Sequence, residues 1–253
     1  MRIVIKIGTS TLAHKTGKLN IRAFEELTKV ISNLKNSGIE VILVSSGAIG
    51  MGAGKLGLGA KPEDIPTKQA AAAVGQSELM YMYDKYFGEY HHTVAQMLLT
   101  ANDFEDEVKH KNLTNTLARL LQLQALPIIN ENDTVSTAEL GIGDNDTLSA
   151  LVAISAKADL LIILSDIEGL YTADPHKNSE AKLISVVENA DEVASLAGDT
   201  SSGLGTGGML TKLQAAKLVT AAGIDMIITN GGKPDLLYDI AEGKPTGTKF
   251  LRK

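Results

Sequence analysis

Two lysines, each beside glycine, carry the first chemical signal in the chain. Lys6 closes an opening apolar stretch, Met1-Arg-Ile-Val-Ile-Lys-Ile-Gly8, and Lys212 follows directly on Gly203-Leu-Gly-Thr-Gly-Gly-Met-Leu-Thr211. An ammonium group next to backbone N–H groups that glycine leaves accessible compensates concentrated negative charge, which is what a phosphate presents. Two such places, in a chain whose other loops are dense in Asn and Asp, point to phosphoryl transfer. Each lysine also has an ordinary explanation: a strand-end lysine can snorkel to water, and helix surfaces commonly carry lysine.

Short polar clusters add to the signal. Ser46-Gly47-Ala-Ile-Gly50 follows an apolar run, so its N–H groups can face an anion, although a plain glycine turn has the same composition. Asn130-Glu-Asn-Asp133 and Gly143-Asp-Asn-Asp146 are built from short polar side chains. Turn chemistry alone would explain one of them. Otherwise they orient an ammonium pair, hold a substrate amine or contact magnesium.

Other patterns fail on spacing. Gly52-Ala-Gly54-Lys-Leu-Gly57 and Gly203-Leu-Gly205-Thr-Gly-Gly208 both fit G-x-G-x-x-G. Neither joins a strand to a helix with an acidic residue ending the next strand, so a dinucleotide-binding oxidoreductase is the weakest option. A Walker A loop would need glycine at Ile49 and a hydroxyl at Leu56. A calcium loop counted from Asp144 puts Ser149 where glycine is needed and Ser155 where glutamate is needed. His14, His91, His92, His110 and His176 show no metal-ligand spacing, and no protein metal site is expected. No G-x-S-x-G elbow supports serine hydrolase chemistry.

The elements that would position these residues alternate along the chain. Apolar runs at 3–7, 39–45, 93–98, 126–130, 160–165 and 224–229 read as strands. Between them, residues 22–37, 67–87, 108–125, 147–158, 209–222 and 234–242 read as helices. In the first of these helices Leu27, Val30, Ile31 and Leu34 form the stripe and Asn20 is the candidate cap. A short strand at 183–187 interrupts the alternation after a polar insert at 174–180. Continuous apolar strands are buried on both faces, so the fold class is α/β, a mainly parallel open sheet between helix layers. Ligands then bind beyond the carboxyl ends of the strands, where the polar clusters fall.

Composition narrows the class further. The chain has 253 residues with 44% hydrophobic content and no linker-like stretch, so a single domain is expected. A net charge of −6 argues against a general nucleic-acid surface while leaving room for a local basic pocket. There is no cysteine, which removes thiolate chemistry and suits a reducing cytoplasm. No apolar run is long enough to span a bilayer, so no membrane partner is expected.

Taken together, the segments resemble the amino acid kinase family, and within it the members that act on free glutamate. The resemblance rests on Val4-Ile-Lys-Ile-Gly-Thr-Ser10, Val44-Ser-Ser-Gly-Ala-Ile49, Asn130-Glu-Asn-Asp133, Gly143-Asp-Asn-Asp-Thr-Leu-Ser-Ala150, Gly169-Leu-Tyr-Thr-Ala-Asp-Pro175 and Gly205-Thr-Gly-Gly-Met209 running on to Lys212. They occur in the family's order and cover essentially the whole chain. The resemblance implies transfer of the γ-phosphoryl of ATP, with Mg²⁺, to the side-chain carboxylate of L-glutamate, the first step of proline biosynthesis.

It also implies a division of labour. Lys6 and Lys212 would neutralise the transferring group and Asp146 would hold the lysines. Ser46, Gly47, Asn130, Asp133 and Asn145 would bind glutamate. Lys6, Gly8, Ser165, Asp166, Thr206, Gly207, Gly208, Met209, Leu210, Thr211 and Lys212 would bind the nucleotide. The N-terminal part would thus serve glutamate and the C-terminal part ATP. L-proline would act as feedback inhibitor, and a homo-oligomer (dimer or tetramer) is expected, with the polar insert and the 67–87 helix as candidate contact regions. Two departures stand out. Ser165-Asp166 replaces the more usual Thr-Asp, and the sequence ends shortly after Lys249-Phe250-Leu251, where many members carry a further domain of RNA-binding type. The form without that domain is expected. Kinases of the same family acting on acetylglutamate, aspartate, carbamate or UMP are the nearest alternatives, and a non-catalytic regulator on the same scaffold is another.

Overall fold

A computed structural model of the chain describes residues 1–14, 18–59, 62–136, 144–173, 175, 178, 180–193 and 208–253. Among them eight strands form one sheet: β1 (Arg2–Ile7), β2 (Glu40–Ser45), β3 (Val94–Leu99), β4 (Leu126–Glu131), β5 (Leu160–Ser165), β6 (Val186–Val187), β7 (Asp225–Asn230) and β8 (Thr248–Phe250). Their order is β3-β4-β2-β1-β5-β7-β8-β6. All pairings are parallel except β7 with β8. The helices are α1 (Thr9–Leu12), α2 (Ile21–Asn36), α3 (Ala48–Leu56), α4 (Ile65–Gly88), α5 (Asn102–Glu105), α6 (Glu107–Gln122), α7 (Asn145–Ser155), α8 (Met209–Ala221) and α9 (Leu236–Ala241).

The sheet is buried on both faces, which is why its central strands are apolar at successive positions. Ile3, Ile5 and Ile7 of β1 pack with Phe24, Leu27 and Ile31 of α2 and with Leu79, Tyr83 and Phe87 of α4. Val4, on the other face, packs with Leu148 and Val152 of α7 and Leu213 and Ala216 of α8. Strand alternation therefore sends Lys6 to the α7–α8 face, beside Val4. The expected cap of α2 is present: the Asn20 side chain accepts from the Ala23 N–H at 3.3 Å.

Four elements were not legible. α1 and α5 span a single turn, and β8 has three residues, too few for a period to show. The sequence of α3 shows no helical signal because glycine is a poor helix former, and the stretch at its start, residues 46–50, has the composition of a glycine turn. Its glycines instead let two helices touch. A Cβ at Gly52 would lie 1.8 Å from the Ala71 carbonyl oxygen, and one at Gly75 would lie 1.8 Å from that of Ala48. The expected strand at 183–187 is shorter, with Val186–Val187 paired to β8 and Leu183 in an isolated bridge to Tyr171. The helix considered as a contact region turns Ala71, Leu79, Tyr83 and Phe87 into the core. Most of the polar insert lies outside the described residues. Among the described residues no helix is long and apolar enough to cross a membrane.

Candidate active site

The chain runs from β1 outward to β2 and β4 on one side, then returns to β5 and β7 on the other, so the order reverses between β1 and β5. In open α/β sheets that reversal leaves a crevice at the carboxyl edge. Lys6 and Gly8 stand at one lip of it, and Ser165 and Asp166 stand at the other.

Asp146 is the centre of the charged cluster. Its carboxylate is fully buried, with Lys6 Nζ 2.8 Å from Oδ1 and Lys212 Nζ 3.2 Å from Oδ2. Thr211 Oγ1 donates to the same Oδ2 at 2.8 Å. The four groups come from β1 (Lys6), α7 (Asp146) and α8 (Thr211 and Lys212). Asp144 makes this geometry possible by capping α7. Its Oδ1 accepts from the N–H groups of Asp146 and Thr147 at 2.7 and 2.8 Å, so Asn145 and Asp146 enter the first turn facing the crevice. Burial by itself raises the Asp146 carboxyl, but the two ammoniums outweigh it and hold the group below the ordinary carboxylate value. Asp146 is thus an anion whose charge is answered on both oxygens.

On the β2–β4 side lies a polar pocket. Ser46 and Gly47 open α3, and Gly47 takes φ +109°, a left-handed turn that favours glycine and starts the helix directly at the strand end. Asn145 Nδ2 lies 2.6 Å from Ser46 Oγ, 3.0 Å from the Ser45 carbonyl and 3.1 Å from Asn130 Oδ1. Asp133 is in the turn after β4, partly buried. The structure thus joins Ser46, Asn130 and Asn145 by direct hydrogen bonds.

On the β5–β7 side, Ser165 Oγ lies 3.2 Å from Asp166 Oδ1, and Asp166 is exposed. A cavity of about 400 Å³ opens there, lined by Ser10, Thr11, Asn20, Arg22, Ala23, Glu26, Ser165, Asp166, Asn230 and Gly232. It shares Ser165 and Asp166 with the expected nucleotide residues but is not walled by the lysines. A Cβ at Gly8 would stand 3.7 Å from Lys6 Nζ, so backbone at Gly8 is close to the ammonium. Gly208 precedes α8 without a side-chain cap, and Met209, Leu210 and Thr211 form its first turn. Thr206 and Gly207 lie outside the described residues. Among the described residues no group of three or more His, Asp and Glu gathers in a way that could hold a metal.

Sequence reading did not single out Asp144 as a cap, the Thr211 hydroxyl as a partner of Asp146, or Gln76, whose buried amide meets Asn130. The first two had signals: an Asp before an apolar helical run, and a threonine beside Lys212. Gln76 had none, because a glutamine in an Ala-rich helix is unremarkable until its neighbours are known.

Two ammoniums share one buried carboxylate at the switch point of a mainly parallel sheet, an arrangement that places concentrated positive charge at the crevice. The chain belongs to the amino acid kinase family, whose model matches residues 1–230. It is 54% identical over 249 residues to a protein of Clostridium tetani named glutamate 5-kinase, covering 98% of this chain and 93% of that one. It is 52% identical over 252 residues to a glutamate 5-kinase of Caldanaerobacter subterraneus, covering 99% of this chain and 68% of that longer one. Among solved structures, carbamate kinase of Giardia lamblia bound to AMP-PNP superposes with a TM-score of 0.71 at 18% identity, covering 100% of this chain and 98% of that one. At that identity the likeness concerns the fold.

Proposed function

We propose that the chain transfers the γ-phosphoryl group of Mg-ATP to the side-chain carboxylate of L-glutamate, giving L-glutamyl 5-phosphate and ADP, the first step of proline biosynthesis. The observation that carries the reading is the pairing of Lys6 and Lys212 on Asp146, between a polar amide pocket and the Ser165–Asp166 side of the crevice. The relatives named glutamate 5-kinase support the choice of acceptor.

The chemistry asks for little beyond positioning and charge. A glutamate side chain has a pKa of about 4.3 and is already ionised near neutral pH, so no general base is needed. One carboxylate oxygen forms the new bond to the γ-phosphorus as the bond to the ADP oxygen breaks. Charge then spreads over the transferring oxygens, and the Lys6 and Lys212 ammoniums are the groups to answer it. Asp146 keeps both lysines in place and offsets their mutual repulsion. Ser46, Gly47, Asn130, Asp133 and Asn145 bind the amino acid. Gly8, Ser165, Asp166 and residues 206–212, with Lys6, bind the nucleotide.

Magnesium enters this scheme as part of the nucleotide, since Mg²⁺ is commonly held by substrate phosphates with few protein carboxylates. Residues 1–253 act as one kinase domain in the cytoplasm, L-proline inhibits by feedback, and the protein is a homo-oligomer. The test is ADP release from Mg-ATP with L-glutamate, L-aspartate and N-acetyl-L-glutamate in parallel, with hydroxylamine in the glutamate run to trap the acyl phosphate. Glutamate-dependent turnover with hydroxamate is the expected result. Turnover with another acceptor alone would overturn the substrate, and ATP binding without turnover would favour a regulator.

A further inference from the structure

A line of side-chain amides runs behind the acceptor pocket, and backbone groups fix its sense. Asn130 is buried, and its Oδ1 accepts from the Glu131 N–H at 2.9 Å, a group that can only donate. The other end of its amide, Nδ2, therefore donates, to Gln76 Oε1 at 2.9 Å. Asn145 Nδ2 faces the Ser45 carbonyl at 3.0 Å, which can only accept, so this nitrogen too is a donor. Its two hydrogens are shared among that carbonyl, Asn130 Oδ1 at 3.1 Å and Ser46 Oγ at 2.6 Å. Ser46 Oγ consequently accepts from behind, and its own proton is directed to something else.

Gln76 lies on α4 and is itself buried. Two helical turns further along the same face, the Tyr83 hydroxyl meets Ser45 Oγ at 2.8 Å. One helix thus supports the carboxyl ends of two strands, β4 through Gln76 and β2 through Tyr83.

We propose that Gln76 is a positioning residue for the amino-acid pocket. By accepting from Asn130 it holds the Asn145 amide towards Ser46, which leaves the Ser46 hydroxyl as a donor to a substrate carboxylate. The inference rests on the reading of Ser46, Asn130 and Asn145 as the acceptor pocket. Without Gln76 the buried Asn130 amide nitrogen loses its partner. A turned Asn130 amide would set N–H against the Asn145 N–H, donor facing donor.

The experiment compares the full-length wild type with Gln76→Met, which keeps length and removes the acceptor, and Gln76→Glu, which keeps an oxygen. The KM for L-glutamate should rise by about tenfold in Gln76→Met, with kcat and the KM for ATP within about twofold. Gln76→Glu should recover most of that loss. An unchanged glutamate KM in folded Gln76→Met, an equal rise in both KM values, or no recovery in Gln76→Glu would overturn the proposal. If Gln76→Met does not fold, Gln76→Ser, too short to reach Asn130, takes its place. Side-chain amide exchange of Asn145, followed by NMR on ¹⁵N-labelled protein, separates this claim from the functional reading. Slow exchange should become fast without Gln76, and unchanged exchange would overturn the relay. A wild type that does not turn over glutamate would instead sink the assigned function and leave the relay to be judged by Asn145.

Discussion

Lys6 and Lys212 face each other across one carboxylate, each ammonium on its own oxygen of Asp146, at 2.8 and 3.2 Å. They lie at opposite ends of the sequence, and the pairing is made by β1, α7 and α8 meeting on one face of the sheet. Two like charges this close are tolerated because the anion between them is buried and fully ionised.

Removing either ammonium should act on turnover more than on folding. Lys6→Ala and Lys212→Ala each should lower kcat by about 10²- to 10³-fold, the scale of one lost transition-state donor. Steady-state assays beside thermal melting check this, and near-normal kcat in either variant would end the assignment of that lysine.

Asp146→Asn leaves two largely buried ammoniums facing an uncharged amide. Breaking a buried pair in this way destabilises by about 3–5 kcal/mol, read from denaturant midpoints. The pH dependence has a definite sign. The folded Asp146 carboxyl lies below its ordinary value of 3.8, so its contribution is present above that value and is lost as pH falls through the lower folded one. Wild type should therefore lose stability below about pH 4 by an increment that Asp146→Asn lacks. Equal acid sensitivity in both would contradict the ion-pair account.

The contact between α3 and α4 should be intolerant of one methyl group. Gly75→Ala would drive a Cβ into the Ala48 carbonyl at 1.8 Å, in the first turn of the helix that Gly47 starts. Overpacking of this kind costs about 1–3 kcal/mol or more. The displaced helix should raise the KM for the acceptor while sparing that for ATP. Gly88→Ala, whose Cβ meets nothing within 4 Å, is the control.

Glu168 ties the loop after β5 to the end of β7. Its carboxylate accepts from Asn230 Nδ2 at 3.2 Å and Tyr171 OH at 3.3 Å, and Lys233 Nζ lies 3.7 Å away. Glu168→Ala should loosen the Asp166 loop and raise the KM for ATP about fivefold, the equivalent of about 1 kcal/mol, with little change for the acceptor. An unchanged ATP KM would show that the tie does not serve the nucleotide.

Much of the architecture was legible. The run Leu160–Ser165 matched its strand residue for residue, because six apolar or small residues between polar breaks leave no helical reading. The α2 stripe and its Asn20 cap were equally plain. By contrast, α3 looked like a loop. Its glycines lower helix propensity, and only the approach of Ala71 and Gly75 explains why glycine is needed there.

The sequence by itself determined which residue types stand at the carboxyl ends of the strands, since burial on both faces forces polar residues to those ends. It also pointed to both lysines and to the Asp and Asn clusters through composition and neighbouring glycine. Only the tertiary structure decided that Lys6 and Lys212 share Asp146, and that Gln76 stands behind Asn130. These partners are separated by 54 to 140 positions, and no local period relates them. Packing of helices on a sheet brings them together, and that packing is a property of the whole chain.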